Sequence, residues 1–174
     1  DREGKYRVGA AVGYEKDEAL ERGKRLVDAG VDLLLVDAAH IDTRVGIETI
    51  TALKAEFDVD VLAGNISEPE SAVRLVKAGV DGMRIGQGPG SICTTRIIAG
   101  IGCPQVTAIY ESAVAGFGVP LNADGGVKYS GDIPVALLAG AMSVTVGNLI
   151  AGTDEAAGEL IETNRGRMKV YRGM

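Results

Sequence analysis

Apolar residues recur along this chain in a repeated form. The segments Leu26-Val-Asp-Ala-Gly-Val-Asp-Leu-Leu-Leu-Val-Asp37, Leu75-Val-Lys-Ala-Gly-Val-Asp-Gly-Met-Arg-Ile-Gly86 and Leu137-Leu-Ala-Gly-Ala-Met-Ser-Val-Thr-Val-Gly147 share one plan. Each has an apolar helix end, then Ala-Gly, then a short run rich in β-formers. The glycine suits the left-handed position that closes a helix. The run after it reads as a buried strand, apolar on both faces. Three more apolar runs, at residues 8–12, 59–63 and 119–123, have the same character. Six strands are therefore expected, centred near residues 10, 35, 61, 84, 121 and 145.

Helical spacing fills the gaps, at residues 17–28, 43–56, 68–77, 107–117 and 130–139. Ser67 is the expected N-cap of the third helix. The charge run from Glu15 to Arg25 reads as a solvated helix face. Strands alternating with helices mean a parallel sheet, either open and doubly wound or closed as a barrel. Even spacing favours a (β/α)8 barrel of the TIM type. Only about six of its eight βα units fit in 174 residues, because a whole barrel takes about 250. The expected organisation is one incomplete barrel domain over residues 1–174.

Composition narrows the function. Hydrophobic residues make up 46% of the chain and there are 25 glycines, which suits repeated tight strand-to-helix turns and not disorder. The net charge is −6, with no Lys/Arg cluster, so no nucleic-acid partner is expected. No apolar run has the roughly 18 residues of a membrane helix, and no signal segment opens the chain. The two cysteines form neither a CxxC nor a disulfide framework, which points to a reduced, cytoplasmic setting.

The chemistry concentrates at the strand ends, which in a barrel share the face where active sites form. Asp37, Asn65, Gly86, Asp124-Gly125-Gly126 and Gly147-Asn148 all fall there. The richest segment is Gly86-Gln-Gly-Pro-Gly-Ser-Ile-Cys-Thr-Thr-Arg96. Its alternating glycines let the backbone approach a ligand, but they lack the dinucleotide-binding spacing. Cys93 among amides and near Arg96 is the candidate nucleophile. Asp124 repels phosphate and suits two ribose hydroxyls, whereas the glycine amides suit the phosphate. Tyr171 and the backbone of Gly173-Met174 could close over the same ligand. Cys103 receives no role. His40, the single histidine, is more often structural than catalytic in such a position, and no metal-ligand cluster is present.

These motifs resemble the inosine monophosphate dehydrogenase and guanosine monophosphate reductase family over nearly the whole chain, from Val8-Gly-Ala-Ala-Val-Gly13 to Tyr171-Arg-Gly-Met174. The loop Gly88-Pro-Gly-Ser-Ile-Cys-Thr-Thr-Arg96 is similar to the family's cysteine loop. Ala123-Asp-Gly-Gly-Val-Lys-Tyr-Ser-Gly-Asp132 and Tyr171-Arg-Gly-Met174 look like its dehydrogenase branch. The resemblance implies oxidation of inosine 5′-monophosphate to xanthosine 5′-monophosphate with NAD, through a covalent thioimidate on Cys93, with Thr95 close to the reacting centre. It implies substrate contacts at Ser91, Asp124, Gly125, Gly126, Gly147, Asn148, Tyr171, Gly173 and Met174. It implies NAD contacts at Asp37, Asn65, Gly86, Gln87 and Gly88, a potassium ion on the carbonyls of Gly88, Gly90 and Cys93, and a tetramer. Two departures stand out: Ile41 replaces a glycine of the cofactor turn, and Asn148 replaces a serine at the phosphate. By the same resemblance, the first two barrel strands, a regulatory insert and the water-activating flap lie outside the chain, so impaired turnover is expected of the chain alone. The alternatives are a guanosine monophosphate reductase, a catalytically silent scaffold, and a phosphate-binding barrel of another pathway.

Overall fold

The computed structural model describes residues 4–164 and 166–172. Six strands form one parallel sheet: β1 (Gly9–Val12), β2 (Leu33–Asp37), β3 (Asp60–Ile66), β4 (Gly82–Ile85), β5 (Leu121–Asp124) and β6 (Ser143–Thr145). They lie side by side in chain order. An open doubly wound sheet reverses its strand order at a switch point. Strictly sequential order is barrel topology, here with β1 and β6 as free edges.

Five helices alternate with these strands: α1 (Lys16–Asp28), α2 (Arg44–Glu56), α3 (Pro69–Ala78), α5 (Gln105–Ala115) and α6 (Asp132–Leu138). A four-residue helix, α4 (Thr95–Ile98), interrupts the long connection after β4. The glycines of the repeat do what the pattern predicts. Gly30, Gly79 and Gly140 follow α1, α3 and α6 with φ of 88°, 91° and 117°.

The core lies between the sheet and the helices. Leu34, Val36, Val61, Ala63 and Met83 point that way and meet Ile50, Leu53, Leu75 and Ile109, all fully buried. The central strands β3 and β4 are buried at most positions on both faces, as the sequence pattern predicts, whereas β2 and β5 are not. β2 alternates buried and half-buried positions, and so does β5. The physical reason is that helices cover one face only, and six strands leave the concave face partly open. That face carries polar side chains where a closed core would not. The register aligns Asp37, Gly64, Arg84, Asn122 and Ser143 across β2 to β6.

Ser67 is not the cap of α3. Pro69 opens that helix, so the cap position falls on Glu68, one residue later, with no side-chain cap bond. Ser67 instead donates to Gln87 Oε1 at 2.5 Å. A true side-chain cap occurs at α2, where Thr43 Oγ1 accepts the N–H of Gly46 at 3.1 Å. Replacing Thr43 by Ala should cost about 1 kcal/mol and lower Tm by about 2–4 °C in calorimetry; an unchanged Tm would show that the cap contributes nothing.

A small antiparallel hairpin, β7 (Leu160–Thr163) with β8 (Gly166–Lys169), follows the sheet. Its strands are short and mostly exposed, so they carry no apolar alternation to read in the sequence. Lys169 Nζ donates to the carbonyls of Thr153, Asp154 and Ala156 at 2.5, 3.1 and 2.7 Å. Val170 N–H donates to Glu159 at 2.9 Å. These bonds tie the hairpin to the turn after β6 and carry the next residue, Tyr171, toward the sheet.

Candidate active site

The loop after β4 folds onto the turn after β5. Gly125 and Gly126 both have positive φ, 76° and 80°. Their lack of a side chain also makes room: a Cβ on Gly125 would lie 3.4 Å from the Gly90 backbone, and one on Gly126 would lie 3.1 Å from Pro89. On the other side, a Cβ on Gly147 would come within 2.6 Å of the Tyr171 hydroxyl. The result is a small cleft lined by Pro89, Gly90, Ser91, Gly125, Gly126, Val127, Lys128, Gly147, Asn148 and Tyr171. Six of the residues assigned to substrate from the sequence thus border one cavity. Gly173 and Met174 lie outside the described residues.

Cys93 sits in the same loop, its N–H donating to Gly90 O at 3.0 Å. Its sulfur lies 3.3 Å from Thr95 Oγ1. Hydrogen bonds from the Thr95 hydroxyl and N–H hold the Cys93 thiol below its ordinary range; burial opposes them, Arg96 assists and Asp124 opposes. The thiolate should therefore form at a lower pH than in a free thiol. Alkylation rate against pH should show this, with the midpoint moving upward in Thr95→Val, which loses the hydroxyl donor. An unmoved midpoint would assign the shift elsewhere. Cys103 is partly buried against the core and its carbonyl accepts from Arg96.

Arg96 also donates to Gln87 O at 3.2 Å and packs on Gly88, holding the two arms of the cysteine loop together. Gln87 reaches back across the sheet, donating to Ala39 O at 3.2 Å and meeting His40 Nδ1 at 2.7 Å. His40 is exposed. Ile41 turns away from the cleft into the core, fully buried. Asp42 is fixed by Arg74 and Ser71, and the Arg74 hydrogen bond leads the lowering of its carboxyl pKa. The residue that departs from the family's glycine is therefore a core side chain.

Asp37, Asn65 and Asp124 meet on the concave face. The register of β3 slips between Gly64 and Ile66, which re-aims Asn65. Asn65 Nδ2 donates to Gly86 O at 2.6 Å and to Asp124 Oδ2 at 2.7 Å. Asn65 Oδ1 is buried and finds no partner among the described residues. Arg84 donates to Asp37 Oδ1 at 3.2 Å and to Asp124 Oδ1 at 2.9 Å.

Three residues that shape this site have no expected role in the sequence pattern. Arg84 was visible as a charge inside an otherwise apolar strand. Gln105, whose amide donates to the carbonyls of Ile85 and Asp124 at 2.9 and 3.2 Å, left no local signal. Lys128 is the one basic side chain on the lining of the cleft.

A parallel, sequentially ordered sheet with a cysteine loop over a glycine-lined cleft defines a partial barrel of the (β/α)8 class. The model of the IMP dehydrogenase / GMP reductase domain matches residues 1–174, and the chain belongs to that family. It is 52% identical to an inosine-5′-monophosphate dehydrogenase of Aquifex aeolicus over 177 aligned positions, covering 100% of this chain and 36% of that protein. Against the enzyme of the same name from Mycobacterium tuberculosis the identity is 51%, over 100% of this chain and 34% of the relative. The chain thus spans about a third of the length of these relatives. A crystal structure of a GMP reductase variant from Trypanosoma brucei, in complex with guanosine 5′-monophosphate, superposes with a TM-score of 0.95 at 46% identity, covering 100% of this chain and 37% of that one. This agreement establishes the partial TIM barrel. No helix among the described residues is long and apolar enough to cross a membrane.

Proposed function

We propose that this chain carries the substrate and cysteine-loop part of an NAD-dependent inosine 5′-monophosphate dehydrogenase. The observation that carries the reading is the shared cleft, which joins the Cys93 loop to the glycine turns after β5 and β6 and to Tyr171. The cleft offers backbone amides, Ser91, Asn148 and Lys128 to a phosphate. Asp124 then faces the ribose. The Cys93 thiolate attacks C2 of the purine, and the hydride leaves C2 with its electron pair. Hydrolysis of the resulting thioimidate by water releases xanthosine 5′-monophosphate and frees the thiol.

NAD, when bound, supplies the hydride acceptor. Asp37, Asn65, Gly86, Gln87 and Gly88 would hold it: the orphaned Asn65 Oδ1 is a buried acceptor awaiting a donor, and Gly86 (φ 138°) and Gly88 (φ 74°) adopt backbone conformations that favour glycine. Potassium fits less well. The carbonyls of Gly88, Gly90 and Cys93 are too few to enclose it without further donors, Gly90 O already accepts from Cys93, and the Arg96 side chain lies on Gly88. Assembly with further copies, tetrameric in the family resemblance, accords with the free edges of β1 and β6.

A guanosine monophosphate reductase is the second reading, supported by the Trypanosoma brucei structure. Steady-state assays with inosine monophosphate plus NAD, beside guanosine monophosphate plus NADPH, separate the two. The proposal expects turnover or single-turnover product in the first pair only. Product from the second pair alone would replace the dehydrogenase reading.

A further inference from the structure

The concave face holds one cation between two carboxylates, and nothing in the proposed chemistry yet uses it. Arg84 lies in the middle of β4, and its side chain is 16% exposed. One arm of its guanidinium meets Asp37 at the end of β2 and the other meets Asp124 at the end of β5. Gly64, beside Arg84 in register, leaves the space: a Cβ there would stand 2.5 Å from Arg84 Cβ. We infer that Arg84 is a positioning residue that, with Asn65, aims the Asp124 carboxylate at a vicinal diol of the ligand. The inference rests on the reading of the cleft as a nucleotide site.

An ionised carboxylate is an acceptor only, with about four lone-pair sites over two oxygens. Arg84 takes one on Oδ1 and Asn65 Nδ2 takes one on Oδ2. One site is left on each oxygen. Two adjacent free acceptors on a fixed plane match the two donors of a ribose 2′,3′-diol. They do not match a phosphate, which brings no donors and carries like charge. Gln105 fixes the same residue from behind by donating to its backbone carbonyl. A planar guanidinium can hold two carboxylates at once, which a lysine ammonium does less well because it is a compact point charge. The other arm, on Asp37, ties the cofactor-side carboxylate to the substrate-side one.

The test is binding of inosine 5′-monophosphate and its 2′,3′-dideoxy analogue to the full chain and to Arg84→Lys, by calorimetry. The unmodified protein should prefer the diol at least about tenfold, about 1.4 kcal/mol. In Arg84→Lys that preference should fall to about threefold or less, while the dideoxy analogue binds within about threefold of its original affinity, because its phosphate contacts are intact. If Arg84→Lys fails to fold, Asp37→Asn with Arg84→Gln keeps the net charge of the cluster and should show the same loss of preference. A preserved preference in the variant overturns the inference, and so does equal weakening of both nucleotides, which marks a merely structural role. An unmodified protein that binds the monophosphate without preferring the diol overturns the inference and the placing of Asp124 on ribose. One that binds neither nucleotide overturns the nucleotide-site reading itself.

Discussion

Replacing Cys93 by Ala should abolish covalent capture of a purine nucleotide. The reagent is 6-chloropurine ribonucleotide, which carries a leaving group on the ring that the thiolate attacks. Intact mass should rise by one nucleotide adduct in the unmodified protein and remain unchanged in Cys93→Ala. Catalysed product formation should fall on the order of 10³-fold or more, since loss of a covalent nucleophile removes the whole route. The fold should survive, because Cys93 is only partly buried in a loop and lies outside the core cluster. The geometry behind this expectation is specific: Cys93 has Thr95 at 3.3 Å and a lowered thiol pKa, and its loop packs on Gly125 and Gly126. Cys103 packs against the core and should not be labelled. An adduct on Cys103 in place of Cys93 would overturn the assignment.

A large structural effect is expected from Gly64→Ala. Gly64 pairs with Asp37 on one side and Arg84 on the other, in the middle of the sheet. The added methyl would meet Arg84 Cβ at 2.5 Å and the Arg84 carbonyl oxygen at 2.6 Å. A flexible side-chain end could swing aside, but a carbonyl of a central strand cannot move without stretching the β3–β4 ladder. Overpacking of this kind costs about 1–3 kcal/mol, and a backbone clash falls at the upper end. That lowers Tm by roughly 5 °C or more for a chain of this size. Because Arg84 is displaced, nucleotide binding should weaken in the same variant. A Tm within 1 °C of the original, with binding intact, would show that the sheet absorbs the methyl freely.

Much of this was legible in the amino-acid order because its causes are local. Ala-Gly at the ends of α1, α3 and α6 marks left-handed helix stops whatever the surroundings, since glycine alone takes that conformation without strain. The apolar runs mark strands because a central strand must bury what lies under the helices. The cysteine loop was legible for the same reason: Gly, Pro and Ser around Cys93 are residues that only a close-approach loop needs. Chain order also placed the turns of β5 and β6 on the same face as that loop, since parallel strands put all their C-terminal ends together.

The remainder depended on the third dimension. The cap of α3 moved from Ser67 because Pro69 set the helix start and Gln87, 20 residues away, claimed the serine hydroxyl. Burial on both faces is met at β3 and β4 but not at β2 and β5, because it depends on how many strands surround the concave face, which periodicity within one strand cannot report. Ile41 departs from the family's glycine, yet its side chain enters the core, which only the tertiary packing decides. The pairing of Arg84 with Asp37 and Asp124 joins residues 47 and 40 positions apart. Their positions along the chain are sequence facts. That their charges meet is decided only when β2, β4 and β5 close to within a side chain's reach.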